Sequence, residues 1–272
     1  MSALQPTGLL TVGDSTLDYR MVGPAPDVAP TLVLLHEGLG SAALWGDFPE
    51  KLAAATGTGV FAYSRAGYGA SSPVTLPRPL DYMQREALDV LPKLLAAIGF
   101  RRGLLIGHSD GASIAAIYAG SVQDHRVRGL GLIAPHFIVE DISVASIAKI
   151  KDEYEQGDLR GRLARWHSHV DNAFYGWNSA WLDPAFRNWD ISEALAYVRV
   201  PIAILQGVDD HYGTLRQIEI AQEECYCPVD VELIVGAAHT PHREAPQVTL
   251  AVLTAFVDRI LRLHEGGMDH AA

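Results

Sequence analysis

The residues best suited to chemistry in this chain form the pentapeptide GHSDG at 107–111, in which Ser109 lies between two glycines. The apolar run 103–106 before it predicts a short buried strand, and the small residues after it predict a helix that ends at Gly120. A serine on so sharp a turn has a strained backbone, and glycine is needed wherever a Cβ would clash. Such a turn lifts the hydroxyl clear of the sheet, as a nucleophile requires.

An acid and a base for this serine follow two later apolar runs. Asp209 and Asp210 come after the predicted strand 202–205, and His239 comes after the predicted strand 231–235. A serine hydroxyl is a weak nucleophile until an imidazole takes its proton, and a carboxylate must hold that imidazole in one tautomer. Adjacent aspartate side chains cannot both face one site, so only one of the two can be the acid. The residues alone do not decide which one it is.

Backbone donors for a developing oxyanion are expected after the first buried strand, 31–35. This strand leads into the loop HEGLG at 36–40, whose N–H groups could act together with the N–H of Asp110. The loop lacks the Lys-Ser/Thr of a phosphate-binding loop and does not match the dinucleotide fingerprint. The arrangement therefore indicates acyl transfer rather than nucleotide chemistry.

The elements that position these groups are short apolar runs separated by helical patterns. A hairpin over 9–22 turns at Gly13 and Asp14, and a helical pattern from Met83 to Ile98 has Asp81 as its expected N-cap. Apolar runs without alternation, separated by helices, predict an α/β fold with a parallel sheet covered on both faces. The predicted parallel strands are 31–35, 59–63, 104–106, 130–133, 202–205 and 231–235.

One interval, 136–196, contains no strand-like run. It predicts helices at 142–155 and 159–170, followed by aromatic residues that include Trp177 and Trp181. A helical lid over the strand ends fits this length best. The domain prediction is therefore a core of 1–135 and 197–272 with a lid inserted at 136–196.

At this point the chain resembles the α/β-hydrolase family. The resemblance rests on LLHEGLGSAALW, YSRAGYGAS, IGHSDGASI, ILQGVDDHYGT and AAHTPHRE, and it covers nearly the whole length. It implies a mostly parallel, twisted sheet of about eight strands flanked by helices, with a helical lid. By this resemblance Ser109 is the nucleophile, His239 the base and Asp210 the acid, with Asp209 as the alternative. The oxyanion donors carried over are the N–H groups of Gly38 and Asp110.

The chain departs from the family pattern at Glu37, where the oxyanion loop usually has glycine. A carboxylate so near a developing oxyanion would oppose catalysis unless it turns away. We expect it to pair with Arg65. Ala112 replaces a frequent third glycine of the serine turn, and we expect no consequence from that change.

Other polar and aromatic residues are expected around the site. The Asp110 side chain either binds a polar group of the substrate or stabilises the helix N-terminus. His242 is an alternative base, whereas His167 and His169 lack a third ligand, so no metal site is expected. The residues predicted to line the substrate pocket are Glu37, His108, His136, Trp177 and Trp181, with a packing role favoured for His108.

Composition limits the partners and the compartment. The 272 residues carry a formal net charge of −11, which argues against nucleic acid or an anionic membrane as a partner. The N-terminus lacks the features of a signal peptide, and Cys225 and Cys227 form a poor disulfide pair. We therefore expect a reduced, cytoplasmic protein that takes a small-molecule substrate without a cofactor, and a homodimer is compatible with this.

The function predicted from the sequence is that of a serine hydrolase. Through an acyl-enzyme it would act on a small carboxylic ester, and the uncharged aromatic lid favours an apolar one. The alternatives are hydrolysis of a carbon–carbon bond, thioester, lactone or amide on the same triad, because substrate choice lies in lid and loops. A ligand sensor with little turnover is a further alternative of another class.

Overall fold

Eight strands form one sheet in the computed structural model, which describes residues 4–266 and the side chains as far as residue 262. The strands are β1 (Thr7–Val12), β2 (Ser15–Val22), β3 (Thr31–Leu35), β4 (Gly59–Tyr63), β5 (Gly103–His108), β6 (Val127–Ile133), β7 (Ile202–Gly207) and β8 (Val229–Ile234). The helices are α1 (Phe48–Thr56), α2 (Tyr82–Arg85), α3 (Leu91–Ala97), α4 (Asp110–Val122), α5 (Asp141–Gln156), α6 (Leu159–Leu163), α7 (Val170–Leu182), α8 (Ser192–Leu195), α9 (Arg216–Glu224), α10 (Pro241–Glu244) and α11 (Pro246–Gly266).

The sheet has the order β1-β2-β4-β3-β5-β6-β7-β8. The hairpin β1–β2 is antiparallel, with Val12 paired to Ser15 across the predicted turn, and β2 is antiparallel to β4. All other neighbouring strands are parallel. The carboxyl ends of β3, β5, β7 and β8 therefore meet at one edge of the sheet, and the predicted α/β fold is confirmed.

Helices cover both faces of the sheet, as the unbroken apolar strands require. On one face α3 and α4 pack with side chains such as Leu94 and Ile117 in a large buried cluster. On the other face α1 and α11 bury a second cluster that includes Leu52 and Phe256. Within 4–266 no helix is both long and apolar enough to cross a membrane. The expected absence of a signal peptide rests partly on Met1–Ala3, outside the described residues.

Four strand predictions were wrong at their ends. The strands predicted at 104–106 and 202–205 extend to Gly103–His108 in β5 and Ile202–Gly207 in β7. β6 begins at Val127 rather than at 130, because Arg128 interrupts the apolar run on which the prediction depended. β8 spans Val229–Ile234 rather than 231–235, because it is an edge strand with exposed positions. Val235, the last residue of the predicted run, is 85% exposed.

The helical pattern from Met83 to Ile98 is one continuous element of mixed geometry. A π-helical turn at Glu86–Val90 separates α2 from α3, and Pro92 at the start of α3 has no N–H for the regular ladder. Asp81 precedes α2 as predicted, but its side chain makes no capping hydrogen bond. It pairs instead with Arg85 at 2.7 Å.

Two helix ends differ from the prediction. Gly120 does not end α4, which continues to Val122; a Cβ at Gly120 would lie 2.1 Å from the carbonyl oxygen of Ala194. This glycine allows the close approach of α4 to α8. The helix expected at 159–170 ends at Leu163, because the following loop bonds elsewhere, with the N–H of Ser168 donating to the carbonyl of Gly69.

The interval 136–196 contains α5, α6, α7, a 3-10 helix at Pro184–Asn188 and α8. It follows β6 and precedes β7 in the chain, so it connects the carboxyl end of β6 to the amino end of β7. Several of its aromatic side chains are buried in the main cluster, namely Trp177, Trp181, Phe186 and Trp189. These residues attach the interval to the core, while its role as a lid and the domain boundaries remain predictions.

Candidate active site

Ser109 lies on a strained turn between β5 and α4. Its φ is +52°, a left-handed value that side chains rarely adopt. The flanking glycines are required by close backbone contacts. A Cβ at Gly107 would lie 2.3 Å from the carbonyl oxygen of Gly111, and one at Gly111 would lie 2.0 Å from that of Leu35. The strain is held in place because the N–H of Ser109 donates to the carbonyl of Ile133 at 2.9 Å.

Asp210 and His239 come together at the ends of β7 and β8. The Nδ1 atom of His239 lies 2.9 Å from Oδ2 and 3.0 Å from Oδ1 of Asp210. Asp210 is further held by the N–H of Tyr212 at 2.7 Å and the side-chain amide of Gln206 at 2.6 Å. Asp209 is exposed, so the structure places Asp210 rather than its neighbour against the imidazole.

The pKa values of this pair follow from burial and from each other. Burial lowers the pKa of His239 below its usual value, although the hydrogen bond and charge of Asp210 oppose that shift. Burial would raise the pKa of Asp210, but the hydrogen bonds from His239 and Tyr212 hold it below its usual range. The imidazole is therefore neutral and the carboxylate ionised at neutral pH, the state that a general base needs.

Ser109 and His239 line the same cavity of about 260 Å³, beside Trp177 and Trp181. In this structure no hydrogen bond among the described residues joins the Ser109 hydroxyl to His239; such contacts often tighten only when substrate binds. A second cavity of about 330 Å³ lies at the opposite ends of β6 and β7, beside Arg199, away from these groups.

The loop after β3 lies against this cavity at Gly38. The N–H of Gly38 donates to no other described residue. The indole of Trp177 packs directly on it, since a Cβ at Gly38 would lie 2.0 Å from Nε1 of the tryptophan. Glycine at this position therefore lets α7 close over the loop.

The side chain of Asp110, next to the serine, is fully buried. Its carboxylate accepts hydrogen bonds from the Tyr82 hydroxyl and from the indole N–H of Trp181, the latter at 3.3 Å. Burial raises its pKa, against the charge of Arg65. This carboxylate thus joins α2, α4 and α7 at the cavity wall.

The expected ion pair between Glu37 and Arg65 was wrong. The Arg65 guanidinium donates to the backbone carbonyl of Glu37 at 3.0 Å, while the Glu37 carboxylate lies 3.4 Å from Nδ1 of His108. Burial opposes ionisation of Glu37, but the hydrogen bond and charge of His108 hold its pKa far below the usual range. The Nε2 of His108 donates to the backbone carbonyl of His239 at 2.7 Å. His108 thus connects the loop after β3 to the loop that carries His239.

His136 and His242 occupy different surroundings. His136 lines the cavity, with its ring centroid 5.6 Å from that of His239. His242, the alternative base, packs instead against Trp45, with ring centroids 4.8 Å apart. Burial lowers the pKa of each to about 3. His167 accepts from the N–H of Gly69, and no metal-binding group was found among the described residues.

Several cavity residues were not predicted from the sequence. The Tyr212 ring centroid lies 4.6 Å from that of His239, and His211 and Ile147 also line the cavity. The carboxylate of Glu244 accepts from the N–H groups of Ala238 and Thr240, which shapes the loop around His239. Their proximity to Asp210 and His239 in the chain could have indicated His211, Tyr212 and Glu244. No sequence signal marks Ile147.

The predicted site residues thus lie around one cavity, and comparison with known proteins agrees with the fold that gathers them. The chain is 33% identical to a proline iminopeptidase of Lactobacillus helveticus, over 89% of this chain and 94% of that protein. It is 24% identical to a non-heme chloroperoxidase of Streptomyces lividans, over 92% of this chain and 99% of that protein.

A solved carboxylesterase structure from the thaumarchaeon Nitrososphaera gargenis superposes with a TM-score of 0.75 at 18% identity, covering 94% of this chain and 99% of that one. At that identity the likeness shows the fold alone. The model of the alpha/beta hydrolase family matches residues 32–252. Because this match covers most of the chain and the carboxyl ends of β3, β5, β7 and β8, the chain belongs to the alpha/beta hydrolase family.

Proposed function

We propose that this chain is a serine hydrolase that cleaves small, largely apolar carboxylic esters through an acyl-enzyme. Ser109 is the nucleophile, His239 the general base and Asp210 the acid that orients the base. The observation that carries the proposal is that His239, hydrogen-bonded to Asp210, lines one cavity with a strained serine. The cavity volume of about 260 Å³ suits a small substrate.

In the first half-reaction the Oγ of Ser109 attacks the ester carbonyl carbon while Nε2 of His239 takes the hydroxyl proton. Nε2 is available because Nδ1 of the same ring is held by Asp210. The N–H groups of Gly38 and Asp110 receive the negative oxygen of the tetrahedral intermediate. The bond to the alcohol oxygen then breaks, and His239 returns the proton to that oxygen.

In the second half-reaction water replaces the alcohol. His239 takes a proton from the water as its oxygen attacks the acyl carbon, and the bond to Ser109 breaks as the serine recovers its proton. The products are a carboxylic acid and an alcohol. The two half-reactions together balance in atoms and electrons without a cofactor.

The proposal is tested by intact-mass analysis after exposure to a fluorophosphonate probe, with Ser109→Ala and His239→Ala as variants. We expect one adduct on the wild type and none on either variant, because the probe reacts only with an activated serine. Ser113→Ala, one turn along α4, is the matched serine control and should retain the adduct. An unlabelled, folded wild type would overturn the proposal and favour a ligand sensor.

The bond cleaved is tested by comparing ethyl butyrate with its thioester, a butyrolactone, a prolyl anilide and a carbon–carbon ring-fission substrate. The amide arm is included because a relative is named as a proline iminopeptidase. We expect the highest kcat/KM for the ester. A higher value for another compound would keep the triad and replace the ester by that class.

A further inference from the structure

The cavity above Ser109 contains a ring nitrogen of His136 that no described residue engages. His136 is 2% exposed, and its Nδ1 is buried without a hydrogen-bond partner. Its Nε2 also makes no hydrogen bond, but it is not among the buried atoms, so this nitrogen is open to the cavity. Nε2 is therefore the ring atom of His136 that a bound ligand can reach, whereas Nδ1 stays buried among protein atoms.

A second unengaged group is the indole N–H of Trp177. It makes no hydrogen bond with a described residue and is not among the buried atoms, although it lies against Gly38. An indole nitrogen can only donate. His136 lies beside His239 and Trp177 lies beside the loop at Gly38, and both residues line the cavity that contains Ser109.

The acidic residues around the cavity disfavour an anionic partner for these groups. The lining residues include Glu37, Asp110 and Glu244, while none of the described lining residues is a lysine or arginine. A carboxylate or phosphate on the substrate would therefore meet like charge without a counterion. An uncharged hydrogen-bonding group is therefore favoured as the partner of His136.

We propose that the acyl group of the substrate carries an uncharged hydrogen-bonding oxygen, a hydroxyl or a keto group, which binds Nε2 of His136. This inference rests on the proposed hydrolase function and names its substrate class. The remaining lining, which includes Leu39 and Ile147, is apolar and suits the carbon chain. Trp177 supplies a donor for a second acceptor oxygen.

The protonation state of His136 suits this role. Burial, with the charge of His239, lowers its pKa to about 3, so the ring is neutral wherever His239 can act as a base. A neutral imidazole has one donor and one acceptor nitrogen, and the tautomer decides which faces the cavity. A hydroxyl satisfies either tautomer, whereas a keto oxygen requires the donor.

The experiment measures kcat/KM by proton release for ethyl esters of four-carbon acids that differ only in the acyl group. The compounds are ethyl butyrate, its 2-hydroxy and 3-hydroxy derivatives, the 3-oxo derivative and monoethyl succinate. We expect at least one uncharged oxygenated ester to exceed ethyl butyrate by about tenfold or more, because sites built to bond an oxygen discriminate against its absence. The anionic succinate should be the poorest.

Variants of His136 separate recognition from packing. His136→Phe keeps a ring against Trp181 and removes both nitrogens, so the preference for the oxygenated ester should fall to within about threefold. His136→Gln keeps a polar group and should recover part of the preference. Trp189→Phe is the matched control, because it removes an unpartnered indole N–H that does not line the cavity, and it should leave the preference unchanged.

The outcomes are distinct from those of the fluorophosphonate test. Equal kcat/KM for ethyl butyrate and every oxygenated ester, or a preference that survives in His136→Phe, overturns the inference and leaves the hydrolase function in place. A labelled Ser109 with no turnover of any ester also overturns the substrate class. Loss of both labelling and turnover in the wild type would overturn the proposed function and this inference with it.

Discussion

Two adjacent aspartates of the same loop have opposite surroundings. Asp210 is 2% exposed at its side chain and accepts from His239, Tyr212 and Gln206, whereas Asp209 faces solvent. If the carboxylate holds His239 in the tautomer that leaves Nε2 free, only the buried aspartate can do so. An amide in its place would favour the opposite tautomer.

The first prediction compares these two positions. Asp210→Asn should lower kcat/KM for ethyl butyrate by about 10³- to 10⁴-fold, because the imidazole loses its orienting carboxylate. Asp209→Asn, which changes charge equally, should stay within about twofold of the wild type, as exposed substitutions usually do. A large loss in the Asp209 variant and none in the Asp210 variant would reverse the assignment.

Glu37 shows how a carboxylate is accommodated beside an oxyanion loop. Its Oε2 lies toward Gly40 and His108, so that a Cβ at Gly40 would lie 2.3 Å from that oxygen. The charge therefore faces an imidazole rather than the N–H of Gly38. Arg65 neutralises the backbone side of the same loop by donating to its carbonyls. The Glu37 carboxylate can face His108 because β5, which ends at His108, lies next to β3 in the sheet.

At the scale of elements, α4 depends on one close contact with α8. The helix carries the serine turn at its N-terminus, and Gly120 near its C-terminus leaves room for the carbonyl of Ala194. A methyl group there would lie 2.1 Å from that oxygen, so the helices would have to separate. The contact therefore holds α4 against the end of the interval 136–196.

The second prediction is that Gly120→Ala lowers the free energy of unfolding by about 1–3 kcal/mol, the usual effect of overpacking. Gly161→Ala is the matched control, since its Cβ meets no atom within 4 Å and it lies in α6. That change should be neutral or stabilise by as much as about 1 kcal/mol. The free energy of unfolding of both variants is measured by urea denaturation. Equal changes in the two variants would refute the packing argument.

Elements whose structure is determined by their own residues were predicted correctly, and elements that depend on contacts with distant residues were not. β3 and β4 have their predicted bounds because each is five apolar residues buried on both faces. The helix expected at 159–170 failed because His167 and Ser168 bond to the backbone of Gly69, a contact across about a hundred residues of chain. A periodic pattern contains no information about such a distant partner.

The candidate site was predictable for a reason that belongs to the whole molecule. Parallel strands place their carboxyl ends at one edge, so three motifs that follow β5, β7 and β8 must lie near one another. That topology brings the loop of Asp209 and Asp210 beside the loop of His239, and the packed structure then shows Asp210 against the imidazole. The contact of Glu37 with His108 does not follow from the topology, because it depends on side-chain directions that only the packed structure defines.

At the scale of the whole molecule, buried neutral histidines make the free energy of unfolding depend on pH. Burial lowers the pKa of His36, His136, His239 and His242 below the usual 6.5. Because the unfolded chain then binds more protons than the folded one, stability is fully present above about pH 6.5 and falls as the pH falls. Asp110, whose pKa burial raises, acts with the opposite sign: its contribution to stability is lost as the pH rises through its raised pKa.

The last prediction isolates one of these histidines. His242 has a pKa of about 3 and packs between Trp45 and Phe48. At pH 5 the imidazole of His242 is protonated in the unfolded chain but stays neutral in the folded one. This difference lowers the free energy of unfolding by about 2 kcal/mol relative to pH 8, from the linkage of a group with unfolded pKa near 6.5. His242→Phe removes this term, so the loss of unfolding free energy between pH 8 and pH 5, measured in urea, should shrink by about that amount. Phe48→Leu changes the same stack without a titrating group, and its effect should be equal at the two pH values. If His242→Phe shifts stability equally at both, the acid sensitivity does not reside in this ring.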